Sequence, residues 1–262
     1  MTGWPLACVS FSKRYRPSEE GAYSNYRTSH QGVGYGAQYG ATFASGYYAA
    51  LWSHIEMPLV ESILSPLGGP SHSCLDFACG TGRITNVAAH LFGEVYGVDV
   101  SESMLACAHT LENVTLVQTD LTLEPLGKTF DVVTAFRFFL NAENALRHDA
   151  MSAIHAHLNE GGLLVSNIHM NATSPMGVAC RILNRCAGRT IHNTLGIARF
   201  RQMLLSNGFV VERIIGYGYL PRPGNLLPRL CEMLVEPCER ISKKARVPAR
   251  LAQNFLVVAR KQ

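Results

Sequence analysis

The stretch Cys74-Leu75-Asp76-Phe77-Ala78-Cys79-Gly80-Thr81-Gly82-Arg83 limits the fold more than any other part of the chain. It reads as a buried strand, a glycine turn and the opening of a helix. Two glycines one residue apart let the main chain bend tightly and bring its N–H groups close to a ligand. A loop of the G-x-G-x-x-G kind cradles a pyrophosphate at a helix N-terminus. Here the run is Gly80-Thr81-Gly82-Arg83-Ile84-Thr85, so Thr85 stands where the third glycine would be. Asp76 closes the strand. A carboxylate there repels a pyrophosphate and suits a ligand that carries positive charge.

Downstream, strand and helix alternate, the pattern of a parallel sheet with helices on both faces. Strands are expected over Ser73–Phe77, Glu94–Asp99, Val114–Gln118, Phe130–Phe136 and Leu163–Ile168. Helices are expected over Thr81–Leu91 and Ala142–Leu158, with Asn159-Glu160-Gly161-Gly162 as a turn. Ser101 fits the N-cap of a helix that carries Met104 and Leu105. A helix over about Leu195–Ser206 stops at Gly208 and feeds a strand over Phe209–Gly216, and Asn254–Ala259 is the last strand. Right-handed connections put ligands at the C-terminal ends of such strands. Three carboxylates, Asp76, Asp99 and Asp120, sit at three successive ends. Asp99 lies 17 residues past Gly82, where a carboxylate can accept both hydroxyls of a ribose.

Asp-x-Ala-x-Gly-x-Gly at 76–82 resembles the first motif of the class I S-adenosylmethionine (SAM)-dependent methyltransferases, whose pattern has Gly where this chain has Ala78. The resemblance covers residues 72–169, and 195–219 and 252–260 more loosely. It implies an α/β fold: a doubly wound, seven-stranded, mostly parallel sheet, Rossmann-like, with the last strand antiparallel beside the sixth. It implies SAM as cofactor and methyl transfer to an oxygen or nitrogen. The cofactor-binding residues carried over are Asp76, Ala78, Gly80, Gly82 and Asp99. Asp120 and the N–H of Leu121 would read the adenine, with Val100 and Met104 in apolar contact and Phe136 beside the methionine portion. Arg83 either reaches the cofactor's carboxylate or faces solvent. Tyr39, in an aromatic series with Tyr35 and Phe43 spaced by four, reads either as packing on the core or, as the resemblance implies, as covering the methionine end.

Chemistry belongs at the ends of the fourth and fifth strands. Arg137 lies between apolar residues and reads either as a fork for an anionic acceptor or as an arginine reaching back to solvent. Phe139 is expected to wall the site against water. Asn141 either orients substrate or caps the next helix. His169 is the general-base candidate for a hydroxyl acceptor; a carboxylate or amine acceptor dispenses with a base. His155 and His157 read as surface residues.

Residues 1–70 are read as an N-terminal extension and helical lid, and 71–262 as the methyltransferase domain with insertions near 170–193 and 221–250. Charge is divided unevenly. Residues 1–168 carry 8 Lys and Arg against 15 Asp and Glu, and residues 169–262 carry 15 against 4, a net of +11. Arg181, Arg185 and Arg189 recur every four residues, one stripe of a helix. Arg181 and Arg185 are therefore candidate contacts for an anionic small molecule, a sugar- or lipid-linked one included. The segment of 221–250 mixes apolar residues (Leu226, Leu227, Leu230, Met233, Leu234) with basic ones, which reads either as a helix lying on a membrane surface or as an elaborated lid packed on the domain. Nucleic acid is not an expected partner. No run of 18 apolar residues occurs. The start lacks a basic region followed by an apolar core, and the scattered cysteines match no common zinc spacing, so a cytoplasmic protein with reduced thiols and no metal is expected. Two other classes remain open: a non-catalytic SAM-binding regulatory or partner protein, and a nicotinamide oxidoreductase.

Overall fold

The computed structural model describes residues 26–29, 32, 34–186, 194–221 and 228–262. The lead-in with Arg14 and Arg16, together with Arg189, Leu226 and Leu227, lies outside them. The strands, in chain order, are β1 (Gly69–Phe77), β2 (Phe92–Asp99), β3 (Val114–Gln118), β4 (Phe130–Ala135), β5 (Leu158–Ile168), β6 (Phe209–Tyr217) and β7 (Asn254–Lys261). They form one sheet in the order β3-β2-β1-β4-β5-β7-β6. Strands β1 to β5 run parallel. β7 inserts antiparallel between β5 and β6. The expected doubly wound sheet with an antiparallel last strand is borne out.

The helices are α1 (Tyr26–Ser29), α2 (Tyr35–Thr42), α3 (Gly46–Leu51), α4 (Met57–Leu64), α5 (Arg83–Ala89), α6 (Glu102–Leu105), α7 (Asn144–Ala156), α8 (Pro175–Cys186), α9 (Ile197–Leu205) and α10 (Pro228–Lys244). A π turn over Trp52–Glu56 joins α3 to α4, and Pro66 sits in a short 3₁₀ turn that ends the N-terminal helices. Ser101 caps α6 as expected, its hydroxyl accepting from the Met104 N–H.

Apolar runs make the inner strands, because a sheet covered on both faces needs both sides of each strand buried. Successive residues of β1 enter opposite cores. Leu75 and Phe77 join Val133, Phe139, Met151, Phe200 and Phe255 on one face. Cys74 joins Leu51, Val60, Leu64, Val95 and Leu256 on the other. Each such side chain contributes about 1.5–3 kcal/mol on burial.

Two local expectations fail. Residues 159–162 are part of β5 rather than a turn; Gly161, at φ +72°, and a register shift between Phe130 and Val132 absorb the irregularity inside the strand. His157 is buried, not on the surface: its Nε2 accepts from the Leu126 N–H at 3.1 Å and its Nδ1 lies 2.7 Å from the Ala153 carbonyl.

Candidate active site

The glycine loop leaves β1 through three residues in the left-handed region, Ala78 (φ 56°), Gly80 (φ 57°) and Gly82 (φ 78°). For Ala78 that conformation costs about 1–2 kcal/mol, which is the physical meaning of a glycine in the family's pattern at this position. Beneath the loop, Asp76 is 1% exposed. Its two oxygens accept from the Thr85 and Thr134 hydroxyls, each at 2.7 Å. Burial pushes its carboxyl up to about 6. Asp76 therefore braces the loop from below, through the threonine that replaces the third glycine.

Asp99 lies at the loop's rim. Its Oδ2 accepts from the Gly80 N–H and its Oδ1 from the Ser101 N–H, both at 2.8 Å. A side chain on Gly80 would bring its Cβ within 3.0 Å of the Met104 methyl, so glycine keeps Met104 packed on the loop. Val100 is half-buried beside Asp99, and Leu121 is in the core. Asp120 is engaged by α1: Arg27 Nε donates to Oδ2 at 2.6 Å, and Thr122 donates to Oδ1 through its N–H and hydroxyl. Burial raises this carboxyl, but the Thr122 and Arg27 hydrogen bonds outweigh it and hold it below its usual range.

Arg83 opens α5 and turns into a cage of rings. Its guanidinium carbon is 3.5 Å from the Phe43 ring centre, 5.0 Å from Trp52 and 5.6 Å from Tyr39. One Nη donates to the Tyr39 hydroxyl at 3.2 Å; the other, Nη1, is enclosed without a partner. A buried, unpaired guanidinium nitrogen beside a glycine loop is costly unless an anionic group completes it. A zwitterionic cofactor carrying a carboxylate next to a cationic centre fits this arrangement: Arg83 for the carboxylate, the aromatic rings for the cationic side, Asp99 for ribose hydroxyls. Arg83 is enclosed by rings rather than turned to solvent.

Arg137 is not an open fork. It sits at φ 59°, its N–H donates to Asn167 Oδ1 at 2.7 Å, and its guanidinium pairs with Glu56 at 3.0 Å. Glu56, 2% exposed in the π turn, also accepts from Asn167 Nδ2 and the Tyr217 hydroxyl. Burial raises the Glu56 carboxyl, and Arg137 and Arg83 outweigh it, so it stays ionised and below its usual range. Phe139 is corrected as well: it is fully buried between Phe138 and Phe200 in the core and walls no ligand site. Asn141 is exposed; its amide donates to the Arg137 carbonyl at 2.9 Å, while Glu143 occupies the N-cap position of α7. Phe136 is half-buried and packs on the lid-side core. His169 is half-buried with an enclosed, unpartnered Nδ1; burial, with Arg137 nearby, holds its basicity down at about 3. Arg181 and Arg185 are exposed on α8.

Sequence reasoning missed Glu56, Asn167, Tyr217 and Arg27, and chose Tyr39 from an aromatic series whose Phe43 and Trp52 ring centres lie closer to the Arg83 guanidinium. Glu56 left one signal. It falls in the line of Trp52, Val60 and Ile63, an acid on the apolar side of a helix, where burial demands a partner.

Residues 74–162 match the family model described as a methyltransferase domain. The chain is 29% identical over 124 residues to a malonyl-[acyl-carrier protein] O-methyltransferase of Bacillus anthracis, across 44% of this chain and 45% of that one. It thus spans less than half the length of that curated relative. A SAM-dependent methyltransferase of Mesorhizobium loti superposes with a TM-score of 0.54 at 20% identity, covering 81% of this chain and 98% of that one. A magnesium protoporphyrin IX methyltransferase of Synechocystis, solved with bound SAM, gives 0.54 at 15% identity, covering 86% and 90%. Residues 74–162 thus match a methyltransferase domain, and the chain shares its Rossmann-like fold and strand order with solved SAM-dependent methyltransferases.

Proposed function

We propose that the protein transfers a methyl group from SAM to an oxygen of a small anionic acceptor, a carboxylate before a hydroxyl, with an amine nitrogen as the second choice. The observation that carries the donor half is the loop rim: Asp99 on one side and the unpaired Arg83 Nη1 on the other face the ends of β1 and β2. Bound SAM supplies a methyl carbon already electrophilic on its sulfonium, so alignment with the acceptor carries much of the rate.

The chain's own groups then have limited tasks. Asp99 holds the ribose, Arg83 the carboxylate, and Phe43, Tyr39 and Trp52 keep water from the methionine end. Glu56 and Arg137 fix the β4 end against the lid. His169, with basicity near 3, is poorly suited to take a proton from a hydroxyl at neutral pH, which favours an acceptor that attacks without losing one. Arg181 and Arg185, exposed on the helix after β5, supply the positive charge that favours an anion, and a sugar- or lipid-linked acid satisfies the same chemistry. The relatives' printed acceptors, malonyl-[acyl-carrier protein] and magnesium protoporphyrin IX, guide the first compounds to try.

The test is incubation with methyl-labelled SAM and fractionated extract, followed by identification of the labelled product. Label in an anionic small molecule is expected, with turnover falling about tenfold or more in Arg181→Ala/Arg185→Ala, the scale of one or two lost charged contacts. Undiminished turnover in that variant removes α8 from the acceptor site. SAM binding without transfer to any fraction would favour a non-catalytic role instead.

A further inference from the structure

α10 has two apolar faces, and the fold uses one of them. Cys231 and Val235 are buried on the inward side, with Glu239 below them, where the helix packs on α3 and the π turn. Opposite them, Leu230, Met233, Leu234 and Ile241 recur at i, i+3, i+4 and i+11, one stripe of a helix. They stay exposed, Met233 by 72% and Ile241 by 67%. Arg229, Arg240 and Lys244 fall along one flank of this stripe, and Arg240 reaches Glu236 across the helix surface. α8 repeats the composition, with exposed Val178, Ile182 and Leu183 interleaved with Arg181 and Arg185. α10 itself carries Arg229, Arg240, Lys243 and Lys244 against Glu232, Glu236 and Glu239, so its positive charge is gathered on one flank rather than spread over the helix.

The stripe is costly to leave in water and narrow for a protein partner that must also meet a row of cations. An anionic lipid surface satisfies both features at once: acyl chains and glycerol for the apolar residues, phosphates for the flank. Among the described residues no helix is long and apolar enough to cross a membrane, so the contact is in-plane. We propose that α10 docks the protein on the surface of an anionic bilayer. The apolar stripe enters the headgroup boundary, and Arg229, Arg240 and Lys244 face the lipid phosphates. Because α10 packs on the π turn that carries Glu56, this places the lid side of the molecule against the membrane.

Co-sedimentation of the full chain with vesicles tests this. Binding is expected to vesicles containing phosphatidylglycerol and not to phosphatidylcholine alone. Met233→Asp/Ile241→Asp should lower the partition coefficient about tenfold, since two inserted side chains are lost. Arg240→Gln and Lys244→Gln should each lower it roughly fivefold at low salt, with little difference at high salt. All four side chains are exposed, so unchanged circular dichroism and thermal midpoints should accompany these losses. The proposal is overturned by equal binding of wild type and Met233→Asp/Ile241→Asp, or by no binding to anionic vesicles. It is also overturned if the wild type self-associates through a contact the same variant abolishes, which assigns the stripe to a second copy. The assay needs no cofactor, so its outcome is independent of the methyl-transfer reading.

Discussion

Beneath the glycine loop, Asp76 accepts from two threonine hydroxyls, and burial pushes its carboxyl up to about 6. An unfolded chain has this group near ~3.9. Between those values the folded chain binds more protons, so the contribution of Asp76 falls as pH rises through the window. Burial moves Asp99 in the same direction. His169 works oppositely: held at about 3, it contributes stability that is lost as pH falls below its unfolded value of ~6.5. Comparing wild type with Asp76→Asn cancels both. In urea titrations the gap should shift in the variant's favour by up to about 3 kcal/mol from about pH 4 to about pH 7. Parallel stability curves would contradict the burial of an ionisable carboxyl here. The same low basicity predicts that His169→Gln keeps turnover on the identified acceptor within about threefold, whereas loss of a working general base costs 100-fold or more, roughly. At this scale the sequence was legible where a residue's role is set by near neighbours. Asp99 accepts from residues 80 and 101, and Ser101 caps its own helix. The reading of Asp76 as ligand-facing and of Phe139 as a wall failed because burial is a property of the packed molecule.

Glu56 ties the N-terminal helices to the sheet, beside their apolar packing on it. Glu56 projects from the π turn and reaches Arg137 after β4, Asn167 in β5 and Tyr217 in β6. Glu56→Ala strands the Arg137 guanidinium without its carboxylate and should cost about 3–5 kcal/mol in chemical denaturation. Glu56→Ala/Arg137→Met should recover most of that loss, since removing both charges removes the buried imbalance. A single variant at wild-type stability would show that the pair is not buried as described. None of these contacts was legible beforehand, because the partners lie 81, 111 and 161 residues apart. The strands were legible for the opposite reason. Apolar periodicity, glycine positions and strand-end acids are local, so β2, β3, β4 and β6 fall within two residues of expectation at each end. β5 begins earlier than expected because Gly161 takes a turn-like conformation without ending the strand.

For the whole molecule, the parallel order β3-β2-β1 places the ends of these strands side by side, with the loop, Asp99 and Asp120 along one rim. Arg27 already occupies Asp120 at 2.6 Å, so α1 must yield or share that carboxylate if an adenine amino group is to use it. Asp99→Ala should weaken SAM binding by about 1–3 kcal/mol through lost charged hydrogen bonds. An unchanged affinity would remove the β2 end from the pocket. We propose that this rim takes a cofactor with one carboxylate and a cationic centre rather than a dinucleotide. Calorimetric titration of the protein with SAM and, separately, with NAD tests it most directly. Saturable SAM binding at one site per chain, weakened in Asp99→Ala, and no heat from NAD are expected; NAD binding without SAM binding would contradict this assignment.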